Sequence, residues 1–278
     1  MPASVTGSAA RVTSADTTSA ASGAAGDAIR GPAAPEPTSR RATHARRALG
    51  AFRLAIAVIE IVALIGNYQY VLEFPLFAAV NFFSYFTILS AMLAVVTLLV
   101  AAGFALLQPR DPPLLGAFRT MVTVYLLVSG IVFGLIALQA STRDYRLEVP
   151  WSDTVLHFVV PLLALIAWTV DAVIAVNPPV PWATVGLVLV LPSIWLVYTL
   201  LRGAEVGWYP YFFLDETQVG GFGGVAVYCV LVLLIFVVLT AVLVAVHRRL
   251  ARMAVRRRAA RRAAAAEAAV TDGSDVVG

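Results

Sequence analysis

The chain has 278 residues, 60% of them hydrophobic and only 13% charged, with a mean hydropathy of +0.86. That balance excludes a soluble globular domain, which needs far more polar surface at this length. The net charge of +4 is small but uneven: all 20 basic residues are arginines, and most flank apolar runs, where they read as topology signals before nucleic-acid contacts.

Residues 1–44 are rich in Ala, Ser, Thr, Gly and Pro and cannot bury enough apolar surface to offset chain entropy, so a disordered cytoplasmic tail is expected there. The tail lacks the apolar segment of a secretory signal, so the first apolar run is expected to stay as an anchor. A bilayer core takes roughly 20 apolar residues of helix. Six stretches meet that length: 48–67, 83–107, 116–139, 154–176, 182–201 and 223–246. Gln108-Pro109-Arg110-Asp111-Pro112-Pro113 separates the second from the third, and Asn177-Pro178-Pro179-Val180-Pro181 the fourth from the fifth. The expected fold is therefore all-α: a polytopic membrane protein with six transmembrane helices over 45–247 and a basic tail over 248–278.

Arginine placement gives the orientation. Arg40, Arg41, Arg46, Arg47 and Arg53 lie at the start of the first span, and Arg248, Arg249, Arg252, Arg256, Arg257, Arg258, Arg261 and Arg262 follow the last. Both termini are thus expected in the cytoplasm of a cell whose plasma membrane the chain crosses. Arg143, Arg146 and Arg202 fall on the other side, among Asp144, Glu148, Glu205, Asp215 and Glu216. The basic tail is expected to continue the sixth helix along the membrane surface, with anionic lipid headgroups as partners. No aromatic residue interleaves its arginines to stack on bases, so nucleic acid is not an expected partner.

Polar groups inside a bilayer are costly, so their positions carry information. Asn81, Ser84, Thr87 and Ser90 recur every three residues at the outer start of the second span, on one drifting stripe. Asp153, His157 and Pro161 share a face at the outer start of the fourth. Pro161 cannot donate to the His157 carbonyl, so a kink is expected there, with Asp153 holding His157 in one tautomer. The outer connection 202–215 is dense in Arg202, Glu205, Trp208, Tyr209, Tyr211 and Asp215, and its aromatics suit either an interfacial belt or a functional loop. Asn67 and Gln139 reach the same layer. No comparable polar group is expected in the inner half, where Asp171 reads as hydrated.

Plainer readings compete at each position. A membrane threonine commonly bonds back to its own helix, here to the Phe83 carbonyl. Gly130 and Gly134 form a small-xxx-small pair for helix packing. Cys229, the single cysteine, reads as helix packing, and one cysteine makes neither a disulfide framework nor a multi-cysteine metal cluster. Glu60 lies past the middle of the first span, where a bare carboxylate costs ~3 kcal/mol on insertion scales. It is expected protonated or paired, with Arg202 as the partner.

Three motifs stand in order: Asn81-Phe82-Phe83-Ser84-Tyr85-Phe86-Thr87; Asp153 with His157 and Pro161; and Tyr198-Thr199-Leu200-Leu201-Arg202-Gly203 followed by Gly207-Trp208-Tyr209-Pro210-Tyr211. Over residues 48–246 they resemble the androgen-induced protein family, and more closely its bacterial six-helix branch, the Pr-six-Pr membrane proteins. Animal members of that family are intramembrane threonine hydrolases that cleave fatty acid esters of hydroxy fatty acids. The resemblance implies Thr87 as nucleophile and His157 as general base. The chain departs from the pattern at Ile88-Leu89-Ser90-Ala91, a less polar stretch than usual, and at Phe212, where a second proline is usual.

The function this implies is lipid-ester hydrolysis near the outer leaflet. Thr87 attacks while His157 takes its proton, and Asp153 orients the ring. Arg202, Tyr209 or loop amides stabilise the developing oxyanion. Membrane lipids supply the ester, and neither a metal nor an organic cofactor is called for. Two other readings stay open. One is a small-solute transporter lined by Glu60, Arg202 and His157, which needs a continuous wet path. The other is a non-catalytic lipid-binding protein, which leaves Thr87 and His157 apart.

Overall fold

The computed structural model describes residues 40–74, 77–142 and 149–275. The expected disordered stretch up to residue 39, and Arg143, Asp144, Arg146 and Glu148, lie outside them. Among the described residues there are six helices long and apolar enough to cross a membrane, and no strands. They are α1 (Arg40–Val71), α3 (Phe86–Leu107), α4 (Pro113–Thr142), α5 (Trp151–Ile174), α6 (Thr184–Val206) and α7 (Phe222–Asp275). A one-and-a-half-turn helix, α2 (Ala79–Ser84), precedes α3.

Boundaries differ from the sequence expectations where local chemistry intervenes. α1 starts at Arg40, so the tail boundary at residue 44 falls inside a helix. The second span is split: Tyr85 is extended (φ −71°, ψ 133°), so α2 ends before it and α3 begins after it. The polar stripe expected from Asn81 to Ser90 is therefore divided between two helices. α6 loosens at Val188 and Leu189, just before Pro192, and closes on Gly207 in the left-handed region at φ 68°. α7 continues unbroken through the basic segment, and its 54 residues measure about 81 Å at the usual rise. The basic tail thus continues the sixth helix, as its sequence suggests.

The core is a column of small and aliphatic side chains between α1, α3, α4 and α5. Ile56, Ala57, Ala94, Val124, Val128 and Val160 are buried at its centre. Small residues at these crossings let the helices approach closely, which suits association where lipid and side chain are equally apolar. The outward faces keep large apolar side chains such as Leu99, Leu135, Leu162 and Ile194 exposed, as lipid-facing surfaces require.

The largest departure lies at the end of the bundle where α1 begins. Arg46, Arg53 and Arg119 are all at least nine-tenths buried, as are Asp111 and Asp171. Arg46 Nη2 reaches Asp111 Oδ1 at 2.7 Å and also caps the end of α3 through the carbonyls of Phe104 and Gln108. Arg119 bridges the two acids, pairing with Asp111 and donating to Asp171 Oδ2 at 2.7 Å. Arg53 Nη2 lies 3.2 Å from Asp171 Oδ1, a close ion pair without hydrogen-bond alignment. Asn177 donates to both acids. Asp171 is therefore not simply hydrated, and this half of the bundle is as rich in polar chemistry as the other. Arginines that read as topology signals are turned inward by acids more than 50 residues away in sequence.

Candidate functional site

The second polar centre lies at the opposite end, where α5 begins. Because α3 starts afresh at Phe86, Thr87 sits in its first turn, and the residue four back, Phe83, belongs to α2. The expected bond to Phe83 is therefore unavailable to it, and its hydroxyl faces the bundle interior, 8% exposed. Its oxygen lies 2.8 Å from Ser129 Oγ on α4, 3.3 Å from His157 Nε2 on α5 and 3.4 Å from the Tyr211 hydroxyl.

His157 owes its position to a local distortion of α5. Residues Val155–Val159 form a π-turn, in which the Val160 amide donates to the Val155 carbonyl, just before Pro161. The widened turn absorbs the donor missing at Pro161, so the expected kink takes the form of a bulge. The His157 carbonyl packs against the Gly130 backbone of α4, where a Cβ would collide with it. Gly134, one turn on, faces the Phe158 ring at 3.9 Å, so the glycine pair packs helices as its spacing implies.

The imidazole is held on one face and at one nitrogen. Phe133 stacks on the ring at 4.0 Å between centroids, 15° from parallel. Nδ1 lies 2.9 Å from the Asp153 carbonyl oxygen, four residues back. A carbonyl only accepts, so Nδ1 carries the proton and Nε2 presents its lone pair toward Thr87. Asp153 thus fixes the tautomer through its main chain. Its carboxylate instead accepts from Asn67 Nδ2 at 2.6 Å, which ties α5 to α1. The orienting role expected of that side chain is corrected.

The remaining expected residues separate into neighbours and outsiders. Arg202 donates to Asn81 Oδ1 at 2.7 Å and lies over the Trp208 ring at 5.4 Å, so it pins α6 to α2 beside the site. It does not pair with Glu60, contrary to expectation. Glu60 is fully buried on α1 with neither carboxylate oxygen hydrogen-bonded. Tyr209 packs its ring on Gly203, which has no side chain to obstruct it, and lines neither cavity at the site. The tyrosine that reaches Thr87 is Tyr211. Burial pushes the phenol up to about 12, so it stays protonated near neutral pH.

Ser129 was missed. Its only sequence signal is a hydroxyl beside Gly130 in an apolar span, and nothing local distinguishes it from a serine bonded to its own helix.

Two cavities meet at this centre and share Thr87, Phe133, His157 and Tyr211. One, of about 70 Å³, runs among apolar side chains of α4, α6 and α7, including Val132, Leu196, Cys229 and Leu233. The other, of about 210 Å³, carries Asn67, Tyr70, Tyr85 and Asp153 on its wall. The arrangement offers a hydroxyl, a basic nitrogen aimed at it, a neutral phenol donor, an apolar slot and a polar chamber. Among the described residues no group of His, Cys, Asp and Glu side chains could hold a metal ion. Compared with known proteins, the chain matches no family model, no curated protein and no solved structure.

Proposed function

We propose that the chain is an intramembrane lipid-ester hydrolase in which Thr87 is the nucleophile and His157 the general base. One observation carries the reading: the Thr87 hydroxyl lies 3.3 Å from an imidazole nitrogen whose partner nitrogen is committed to a carbonyl. The resemblance to the androgen-induced protein family points to the same pair.

In the first half-reaction His157 Nε2 takes the Thr87 proton while the oxygen attacks the ester carbonyl. Ser129 and Tyr211 then act as donors to the Thr87 oxygen or to the oxyanion that forms beside it. The carbon–oxygen bond to the leaving alcohol breaks, and the imidazolium returns the proton to that alcohol. Water then attacks the acyl-threonine, again giving its proton to His157. Collapse releases the fatty acid and restores the Thr87 hydroxyl. The apolar slot suits the acyl chain, and the polar chamber suits the alcohol and the water. In this reading both termini lie in the cytoplasm and the dyad near the outer leaflet of the plasma membrane, which the arginine bias of the sequence supports.

Glu60 and Arg202 line neither of the two cavities that meet at Thr87 and His157, which favours the hydrolase reading over a small-solute transporter. A lipid-binding protein without chemistry has no need of the oriented imidazole.

A fluorophosphonate probe tests the reading. The parent chain is expected to label at Thr87, and Thr87→Ala to lose labelling altogether. His157→Gln is expected to slow ester hydrolysis by about 10²–10⁴-fold. Equal labelling of parent and Thr87→Ala removes Thr87 as nucleophile. Tyr211→Phe is expected to keep labelling but lower turnover of a fluorogenic fatty ester by about 10²-fold, since it deletes one donor. Unchanged turnover in that variant excludes the phenol as oxyanion donor.

A further inference from the structure

The basic segment of α7 contains two kinds of arginine. Arg248 donates to the Val180 carbonyl at 3.0 Å, and Arg258 caps the end of α5 at the carbonyls of Ile174 and Ala175. These bonds hold α7 against the end of a spanning helix. Arg257 and Arg261, exposed beside them, belong to none of the ion pairs among the described residues.

With Arg258 they rim a cleft of about 240 Å³. Its floor is Val173 of α5 with Leu250, Met253 and Ala254 of α7. Val173 is 52% exposed and Met253 38% exposed, so the apolar floor is open at the level where α5 ends. The positions 250, 253, 254, 257, 258 and 261 follow helical spacing, which keeps floor and rim on one face of α7.

We propose that this cleft binds one anionic phospholipid. Guanidinium forks match phosphate oxygens, and the first methylenes of an acyl chain suit the floor. A free phosphate would use the rim but gain nothing from the floor. The contrast with the buried cluster supports the assignment. Arg46, Arg53 and Arg119 are answered by Asp111 and Asp171, whereas among the described residues no carboxylate pairs with Arg257 or Arg261. The site is local. The rest of the tail runs on along the unbroken helix. The inference does not depend on the hydrolase reading or on which way the chain crosses the bilayer.

The full chain, reconstituted in nanodiscs of phosphatidylcholine mixed with phosphatidylglycerol, is released and weighed by native mass spectrometry. The parent is expected to retain one phosphatidylglycerol in preference to phosphatidylcholine. Arg257→Gln/Arg261→Gln is expected to lower the retained fraction at least tenfold. Arg249→Gln/Arg256→Gln removes the same charge outside the cleft and is expected to keep it. All four side chains are exposed, and helical content by circular dichroism checks that each variant folds. Equal loss in both double variants, no preference in the parent, or displacement of the lipid by millimolar inorganic phosphate each overturns the proposal.

Discussion

Asp171→Leu is expected to be the most damaging single change in the chain, costing about 3–5 kcal/mol. Asp171 lies between two guanidiniums, 2.7 Å from Arg119 Nη2 and 3.2 Å from Arg53 Nη2. Without it, Arg119 still has Asp111, but Arg53 keeps only a long bond of 3.5 Å to the Ala101 carbonyl. A guanidinium 1% exposed and without a carboxylate bears the full cost of its desolvation. Removing Arg119 is expected to cost less, because each acid then keeps one arginine and the cluster becomes neutral. The double variant Arg53→Leu/Asp171→Leu should recover much of the loss, since charge and partner leave together. Thermal unfolding in detergent gives the ranking, and an Asp171→Leu chain as stable as the parent defeats it.

The same cluster sets an acid limit. Burial alone would raise the Asp111 carboxyl, but the paired guanidiniums of Arg119 and Arg46 outweigh it and hold it below the ordinary carboxylate value. Its contribution to stability is present above that ordinary value and disappears as pH falls through the depressed one.

Gly130→Ala is the second large effect, and it acts on chemistry through packing. A Cβ there collides with the His157 carbonyl oxygen, so α4 and α5 must move apart. Overpacking of this kind costs about 1–3 kcal/mol. The functional loss should exceed the stability loss. A displaced His157 leaves Phe133 and the Asp153 carbonyl, and its 3.3 Å contact with Thr87 lengthens. Fluorophosphonate labelling is expected to fall at least tenfold while the variant still folds. Gly134→Ala is the control: its Cβ meets the Phe158 ring at 3.9 Å, an ordinary contact, and labelling should hold. Parent-like labelling in Gly130→Ala would show that the helix contact does not set the ring.

How far the site was legible varies residue by residue. Thr87 and His157 were placed at one depth by two spans starting on the same side, and the structure brings them within hydrogen-bond reach. Asn67 and Asp153 were likewise assigned to one layer, and they bond. Arg202 and Tyr209 were close in sequence to the right place but not in it. Which loop aromatic turns inward depends on how the loop packs on Gly203 and α3, and no local pattern encodes that. Tyr211 and Ser129 could emerge only when three helices and a loop were assembled around the Thr87 oxygen.

Hydropathy and proline placement by themselves determined that this chain is a bundle of six spanning helices, because each segment must satisfy its own backbone bonds in hydrocarbon. They also determined which polar residues are costly. Only the tertiary structure decided which polar groups face each other. It moved Arg46 and Arg53 from apparent topology signals into a buried ion cluster with Arg119, and it replaced the Asp153 carboxylate by its carbonyl. The reason is that spans fix depth along one axis, whereas a contact also needs each helix's rotation and its neighbours. Those follow from packing between segments far apart in the chain, such as Gly130 against His157.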